Sequence, residues 1–240
     1  MIDKTTLQPG QIEKVRSEVA LMSAIRHKHI IRLLEVFESS NHMYMVFEYA
    51  AGGDLLQLVK KKRCLTESEA RKIFRQVVYG IAHCHCRSVL HRDIKLDNIL
   101  LDEKNHVKVC DFGISRTIEN LSEPVLEQCG TPAYIAPEIL YEDGYKGFKS
   151  DIWGMGVLLY AMVTGTVPFR AQNMRELKYV ISAGHFSFPN LNPRDNHRYS
   201  DTIKDLIRSM LIVDTKSRIS IPEILAHPWL NPTQDRQSMQ

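Results

Sequence analysis

Between residues 91 and 98 the chain reads His91-Arg92-Asp93-Ile94-Lys95-Leu96-Asp97-Asn98, and Asp111-Phe112-Gly113 begins thirteen residues after Asn98. Carboxylate and amide oxygens are the donors a hard cation prefers, so Asp93, Asn98 and Asp111 could hold one. Taken one at a time, each side chain also has an ordinary structural reading. Asp93 and Asp111 could form turns, Asn98 could cap a helix, and His91 could be a hydrogen-bonded core histidine.

The elements that must position these residues are legible around them. Upstream, Thr66 and Glu69 form a capping-box pair ahead of Ala70, Ile73, Phe74, Val77, Val78 and Ile81, whose spacing predicts a long amphipathic helix. Downstream, Asn98–Leu101 and His106–Cys110 read as strands about the turn-prone Asp102-Glu103-Lys104-Asn105, a hairpin with its ends at a cleft. Residues 11–26 place Ile12, Val15, Val19 and Met22 on one side of a helix, with Glu18 at its border. His42 to Tyr49 reads as a strand, Gly52-Gly53 breaks it, and Asp54 opens a short helix, which puts a lobe boundary near residue 50.

Ser150 is predicted to cap Asp151–Val163, a segment apolar nearly all round and too short for a bilayer, hence a buried central helix. Ile203, Leu206, Ile207, Met210 and Leu211 mark a later amphipathic helix, and Ile221–Ala226 a last one. His83-Cys84-His85-Cys86 has metal-site residue types but no second Cys/His pair at zinc-finger spacing, so it reads as the polar end of a helix. The basic run Lys60–Arg63 reads as a solvated helix face.

Lys and Arg number 31 against 28 Asp and Glu, and a net charge of +3 gives no ground for nucleic acid or membrane as a partner. No apolar leader follows Met1, and no run approaches the ~18 apolar residues of a membrane span. The 5 cysteines are odd in number and scattered, which fits reduced thiols. A soluble intracellular protein is expected, cytoplasmic, with nuclear residence left open.

In order and context, the 91–98 stretch, Asp111-Phe112-Gly113 and Ala136-Pro137-Glu138 resemble the catalytic loop, the metal-binding tripeptide and the end of the activation segment of eukaryotic-type protein kinases. The resemblance covers about residues 1–230. It implies an α+β, two-lobed fold with an incomplete N-terminal β lobe at 1–49 and a mainly helical C-terminal lobe at 50–230, then a tail at 231–240. The implied reaction is transfer of the ATP γ-phosphoryl group, with Mg²⁺, to hydroxyls of protein substrates.

By that resemblance Asp93 takes or orients the hydroxyl proton, Lys95 approaches the γ-phosphate, and Asn98 and Asp111 hold Mg²⁺. Phe47 matches the back of the adenine pocket, the Glu48 carbonyl and Ala50 N–H match the hinge groups, Asp54 lies near the ribose and Leu100 under the base. Met22, Leu33, His91 and Phe112 match an apolar column joining the lobes, and Arg218 a partner of Glu138. Lys95, together with Thr131 in Gly130-Thr131-Pro132, resembles the Ser/Thr branch. The stretch Gly130–Glu138 with His227-Pro228-Trp229-Leu230 is most similar to calcium/calmodulin-dependent and AMP-activated kinases.

The sequence departs from the family at its start. It has no Gly-x-Gly-x-x-Gly, and the strand lysine that partners the helix glutamate matched by Glu18 is not there. Lys4 falls four positions too late, and Gly154-Met155-Gly156 lies inside the predicted buried helix. Two readings follow: an N-terminally truncated, weakly active kinase, favoured because Asp93, Asn98 and Asp111 are intact, and a pseudokinase-like binding or scaffold module. Gly130–Glu138 resembles a peptide-docking segment, which sets aside a small-molecule kinase.

Asp54 and Asp97 match acidic positions that contact basic residues upstream of a phosphosite, and Ala161 stands where strongly basophilic relatives carry glutamate. A modest preference for upstream Arg or Lys is expected. Glu127 replaces a threonine whose phosphate pairs with the arginine matched by Arg92, which implies basal activity without that phosphate. Thr117, Ser122 or Thr131 are the alternative targets of an upstream activating kinase.

Overall fold

The computed structural model describes residues 1–8, 10–113, 115–117, 130–140, 147–189 and 199–232. The N-terminal part comprises β1 (Ile2–Asp3), α1 (Gln11–Ala24), β2 (Leu33–Glu38) and β3 (His42–Phe47). β3 pairs antiparallel with both others, giving the order β1-β3-β2. It ends at Phe47, two residues short of the predicted strand, because the backbone leaves the ladder there and Tyr49 is 88% exposed. α1 buries Met22 and half-buries Ile12, Val15, Glu18 and Val19, the face their spacing predicts.

Gly53 and Asp54 then form the short strand β4, and Asp54 also caps α2 (Leu55–Lys62), its carboxylate accepting the Gln57 N–H at 2.8 Å. Lys60, Lys61 and Lys62 are exposed in the last turn, where positive charge suits the helix dipole. α3 (Glu67–His85) opens with the predicted capping box: Glu69 N–H donates to Thr66 Oγ1 at 3.3 Å, and Thr66 N–H to the Glu69 carboxylate at 3.0 Å. All six apolar residues of the predicted face are buried. The histidine and cysteine run 83–86 forms the end of this helix.

β5 (Val89–Leu90), β6 (Ile99–Leu101), β7 (Val107–Val109) and β8 (Arg116–Thr117) follow. β6 and β7 make the predicted hairpin, Ile99 opposite Val109, with β4 on its other side. β5 pairs with β8.

α4 (Lys149–Thr164) is the central pillar, buried from Ser150 through Val163. It starts two residues earlier than the sequence suggests, at Lys149. Ser150 is not its cap: Phe148 precedes the helix, and Ser150 Oγ donates back to the Gly147 carbonyl at 3.2 Å. α6 (Asp201–Met210) packs against α4, and α5 (Met174–Ala183) and α7 (Ile221–Ala226) complete one core with α2 and α3. Gly156 permits the α4–α6 approach, since a Cβ there would lie 2.9 Å from Met210 Cβ.

A second, smaller core of Met22, Ile25, Ile30, Ile31, Cys84, Val89 and Phe112, with Leu33 packed on it, joins the two parts. Near the base, Arg218 is 1% exposed and grips Glu138 with both terminal nitrogens, at 2.6 and 2.8 Å. It also donates to the carbonyls of Ile212 and Lys149 and stacks 5.1 Å over Trp153. Among the described residues no helix is long and apolar enough to cross a membrane.

Candidate active site

The loop between β5 and β6 is held from beneath by a buried carboxylate on α4. Asp151 accepts the backbone N–H groups of His91 and Arg92 at 3.0 and 2.9 Å and the His85 imidazole at 2.8 Å. Burial by itself would push its carboxyl up, but these donors and the neighbouring imidazoles outweigh that and hold it below the usual range. Arg92 thereby keeps a positive φ of 68°, costly for a side-chain-bearing residue, directly before Asp93.

His91 fixes the other side of the loop. Its Nε2 donates to the Cys110 carbonyl at 3.1 Å and its Nδ1 accepts the Asp93 N–H at 3.3 Å, which sets the neutral tautomer. Full burial pushes its pKa down, consistent with that form. The ring meets Phe112 edge-on at 4.9 Å, so the column of Met22, Leu33, His91 and Phe112 is continuous with the small core.

Asp93 is 8% exposed and saturated with donors. One oxygen takes the Lys95 ammonium at 2.6 Å and the Asn98 amide at 3.0 Å; the other takes the Thr131 hydroxyl at 2.8 Å and its N–H at 3.2 Å. Desolvation raises its pKa, and the hydrogen bonds of Lys95 and Thr131 with the lysine charge more than reverse that, leaving the carboxyl below its ordinary value. Lys95 reaches Thr131 Oγ1 as well, at 2.9 Å. Thr131 is therefore a full member of this cluster, with its hydroxyl already engaged. In the sequence it reads as a branch marker and an alternative phosphorylation target, not as a member of the site, although its place in Gly130-Thr131-Pro132 was the available signal.

Asp111 also has a positive φ, 65°, and accepts the Gly113 N–H at 3.3 Å. Glu18 reaches toward it from α1. Burial and then the Asp111 charge push the Glu18 carboxyl up, and Glu18 forms no ion pair with any described residue. Lys4 is bound to Glu38 at 3.0 Å instead. Cys110 marks where other charges converge: its thiol is pushed up to about 12 by burial and by the charges of Asp111 and Asp54, with Lys95 opposing.

The remaining residues have mixed placements. Leu100 lies beside this floor, opposite Asp54 in the β4–β6 ladder. Phe47 and Ala50 flank Glu48 at the connection between the two parts. The Glu48 carboxylate points away, to Lys108 at 2.7 Å and the Arg32 N–H at 2.8 Å. The Asp54 carboxylate is spent on Gln57, at 2.8 and 2.7 Å. Asp97 is exposed, and Ala161 is buried in α4. Thr117 is exposed in β8, while Ser122 and Glu127 lie outside the described residues.

Asn98 and Asp111 suit a hard cation. The Asn98 amide nitrogen is committed to Asp93, which leaves its oxygen as the free donor, and Asp111 offers carboxylate oxygens. Among the described residues no three His, Cys, Asp or Glu side chains form a metal cage. Mg²⁺ needs none, since it binds through one or two protein oxygens, water and substrate phosphates.

The profile of the family described as "Protein kinase domain" matches residues 1–230. The chain belongs to the protein kinase family. This kinase domain is 39% identical over 230 residues to CBL-interacting serine/threonine-protein kinase 5 of Arabidopsis thaliana, covering 95% of the chain and 50% of that protein. It is 40% identical to CBL-interacting protein kinase 16 of Oryza sativa, covering 95% and 49%. It is 38% identical to serine/threonine-protein kinase SIK2 of Gallus gallus, covering 96% and 28%. The kinase domain thus spans half or less of the length of these curated relatives. Its α+β architecture and its likeness to the Ser/Thr branch agree with what the motifs imply.

Proposed function

We propose that the chain is the catalytic part of an ATP- and Mg²⁺-dependent protein Ser/Thr kinase, acting on hydroxyls of protein substrates. The single observation that carries this is the Asp93 carboxylate held by Lys95, Asn98 and Thr131. MgATP supplies the transferable phosphoryl group and the cation that offsets its charge. Asp93, kept ionised, orients a substrate hydroxyl and accepts its proton; Lys95, beside it, neutralises anionic charge; Asn98 and Asp111 are the metal ligands. Phe47, the Glu48 carbonyl, the Ala50 N–H, Asp54 and Leu100 surround the nucleotide's base and ribose. Residues 1–49 and 50–230 act as the two lobes about this cleft.

With Glu18 facing Asp111 and no lysine paired with it among the described residues, the 240 residues alone are expected to transfer phosphate slowly. A loss of even ~4 kcal/mol of transition-state stabilisation is about a thousandfold in rate. The test compares ATP-dependent labelling of a Ser/Thr peptide by this chain and by the chain preceded by a glycine-rich, lysine-ending segment borrowed from a relative. A rise of about a thousandfold or more supports the reading, and fast transfer by the 240 residues alone overturns the weak-activity part of it. The second reading, a pseudokinase-like binding or scaffold module, is favoured by the same uncompensated Glu18; it predicts ATP binding or partner binding with no transfer in either form.

Substrate preference rests on Asp97, because the Asp54 carboxylate is already engaged. A modest preference for Arg or Lys upstream of the target follows. Phosphorylation of Thr131 would break its bonds to Asp93 and Lys95, which disfavours it as an activating target; Glu127 as the source of basal activity, or Thr117 or Ser122 as the regulated residue instead, are the two remaining readings.

A further inference from the structure

Beside Glu48 lies a hollow of about 410 Å³. Its rim carries Arg26, Lys28, Arg32 and Lys108, and its only carboxylate is Glu48. That acid is already committed to Lys108 and the Arg32 N–H. Arg26, Lys28 and Arg32 are exposed and form no ion pair with any described residue. The segment carrying them is rigid between its charges. Ile25, His29, Ile30 and Ile31 are buried, the Val109 N–H donates to the His29 carbonyl at 2.9 Å, and the Ile31 N–H donates to the Val109 carbonyl at 2.9 Å.

The positive field extends along the same face. His27, also in the lining, stacks on His83 at 4.8 Å, and the Arg87 guanidinium lies 3.2 Å from His83. Burial, the imidazoles of His83 and His29, and the charges of Lys28 and Arg87 push the His27 pKa down to about 4, so the ring stays neutral and adds no charge of its own.

We infer that this hollow is a docking surface for an Asp/Glu-rich segment of a protein partner. Three unpaired cations distributed along residues 26–32, over a floor of Ile25 and Ile30, suit several carboxylates spaced along an extended peptide. The surface is preorganised, so little ordering is lost on binding. Nucleic acid fits less well, because the one ring in the lining, His27, is already stacked on His83 and the whole chain carries only +3. The inference does not depend on catalysis, since none of these rim side chains touches the Asp93 cluster.

The test is fluorescence anisotropy of a labelled acidic peptide of about a dozen residues with the full 240-residue chain. Saturable binding is expected, weakened at least about tenfold by the double variant Lys28→Glu, Arg32→Glu and less than about twofold by Lys60→Glu, Lys61→Glu on the end of α2. A lysine-bearing peptide should bind the first variant and not the parent. If that variant fails a melting check, Lys28→Gln with Arg32→Gln takes its place, with a loss in the same direction. No saturable binding, equal losses in both variants, or displacement of the peptide by an oligonucleotide of equal charge at lower concentration would each overturn the proposal.

Discussion

Asp93 and Glu18 are partly buried carboxylates near one cleft, and they are held in opposite ways. Asp93, on the helical side, receives four hydrogen bonds from Lys95, Asn98 and Thr131 and has its pKa lowered despite burial. Glu18, on the N-terminal side, has no cationic partner among the described residues, faces Asp111, and has its pKa raised. The contrast extends to the surroundings. The helical part encloses one large core around α4, with Arg218 and Glu138 fully paired, whereas α1 fully buries only Met22. On the helical side the Asp93 carboxylate is fully engaged by neighbouring donors, while Glu18 faces another acid with no cation beside it among the described residues.

The largest effect should come from the helical side. In a form of the protein that transfers phosphate, Asp93→Asn or Asp111→Asn should lower kcat about a thousandfold or more, equivalent to ~4 kcal/mol, the second chiefly by removing a metal ligand. Initial rates at saturating ATP check this, and activity surviving either change would remove the assigned roles. Next, Arg218→Ala should cost about 3–5 kcal/mol of stability by stranding Glu138 and several carbonyls in the interior. Urea midpoints measure it; a loss under ~1 kcal/mol would mean the helical part is less saturated than its geometry indicates.

Gly156→Ala tests the tight α4–α6 contact in the same part. The added methyl meets Met210 Cβ and Leu211, and a cost of about 1–3 kcal/mol is expected by thermal or chemical denaturation.

The smallest effect, of opposite sign, belongs to Glu18. Glu18→Gln should stabilise the chain at neutral pH by less than ~1 kcal/mol, because the group is partly exposed and its repulsion from Asp111 is screened. A raised folded pKa means that the stability tied to the protonated form is fully present below the ordinary 4.5 and is lost as pH rises through the raised value. The advantage of Glu18→Gln should therefore shrink as pH falls toward 4.5. Asp151 behaves in reverse: its stabilisation is present above 3.8 and is lost as pH falls through its lowered value. Melting curves of the parent and Glu18→Gln across this range separate the two, and a Glu18→Gln chain that is less stable than the parent at pH 7 would break the comparison.

Much of this was written in local sequence. The Thr66–Glu69 box, the 3.6-residue period of α3 and the β6–β7 hairpin are short-range consequences of side-chain type and spacing, and they formed as read. The ordered Asp93, Asn98 and Asp111 motifs identified the family because their spacing is itself the signal. The start of α4 was misread because a serine near a helix start can cap it or bond back within its first turn, and packing decides which. Three features were settled only by long-range approach: Asp151 gripping a loop some sixty residues earlier in the chain, Thr131 completing the Asp93 cluster, and Arg26, Lys28, Arg32 and Lys108 meeting around one hollow. Sequence fixes which groups carry charge and which stretches coil or extend. How many donors reach a given carboxylate, and hence whether it is quenched like Asp93 or left facing another acid like Glu18, depends on distances that exist only after the chain has packed.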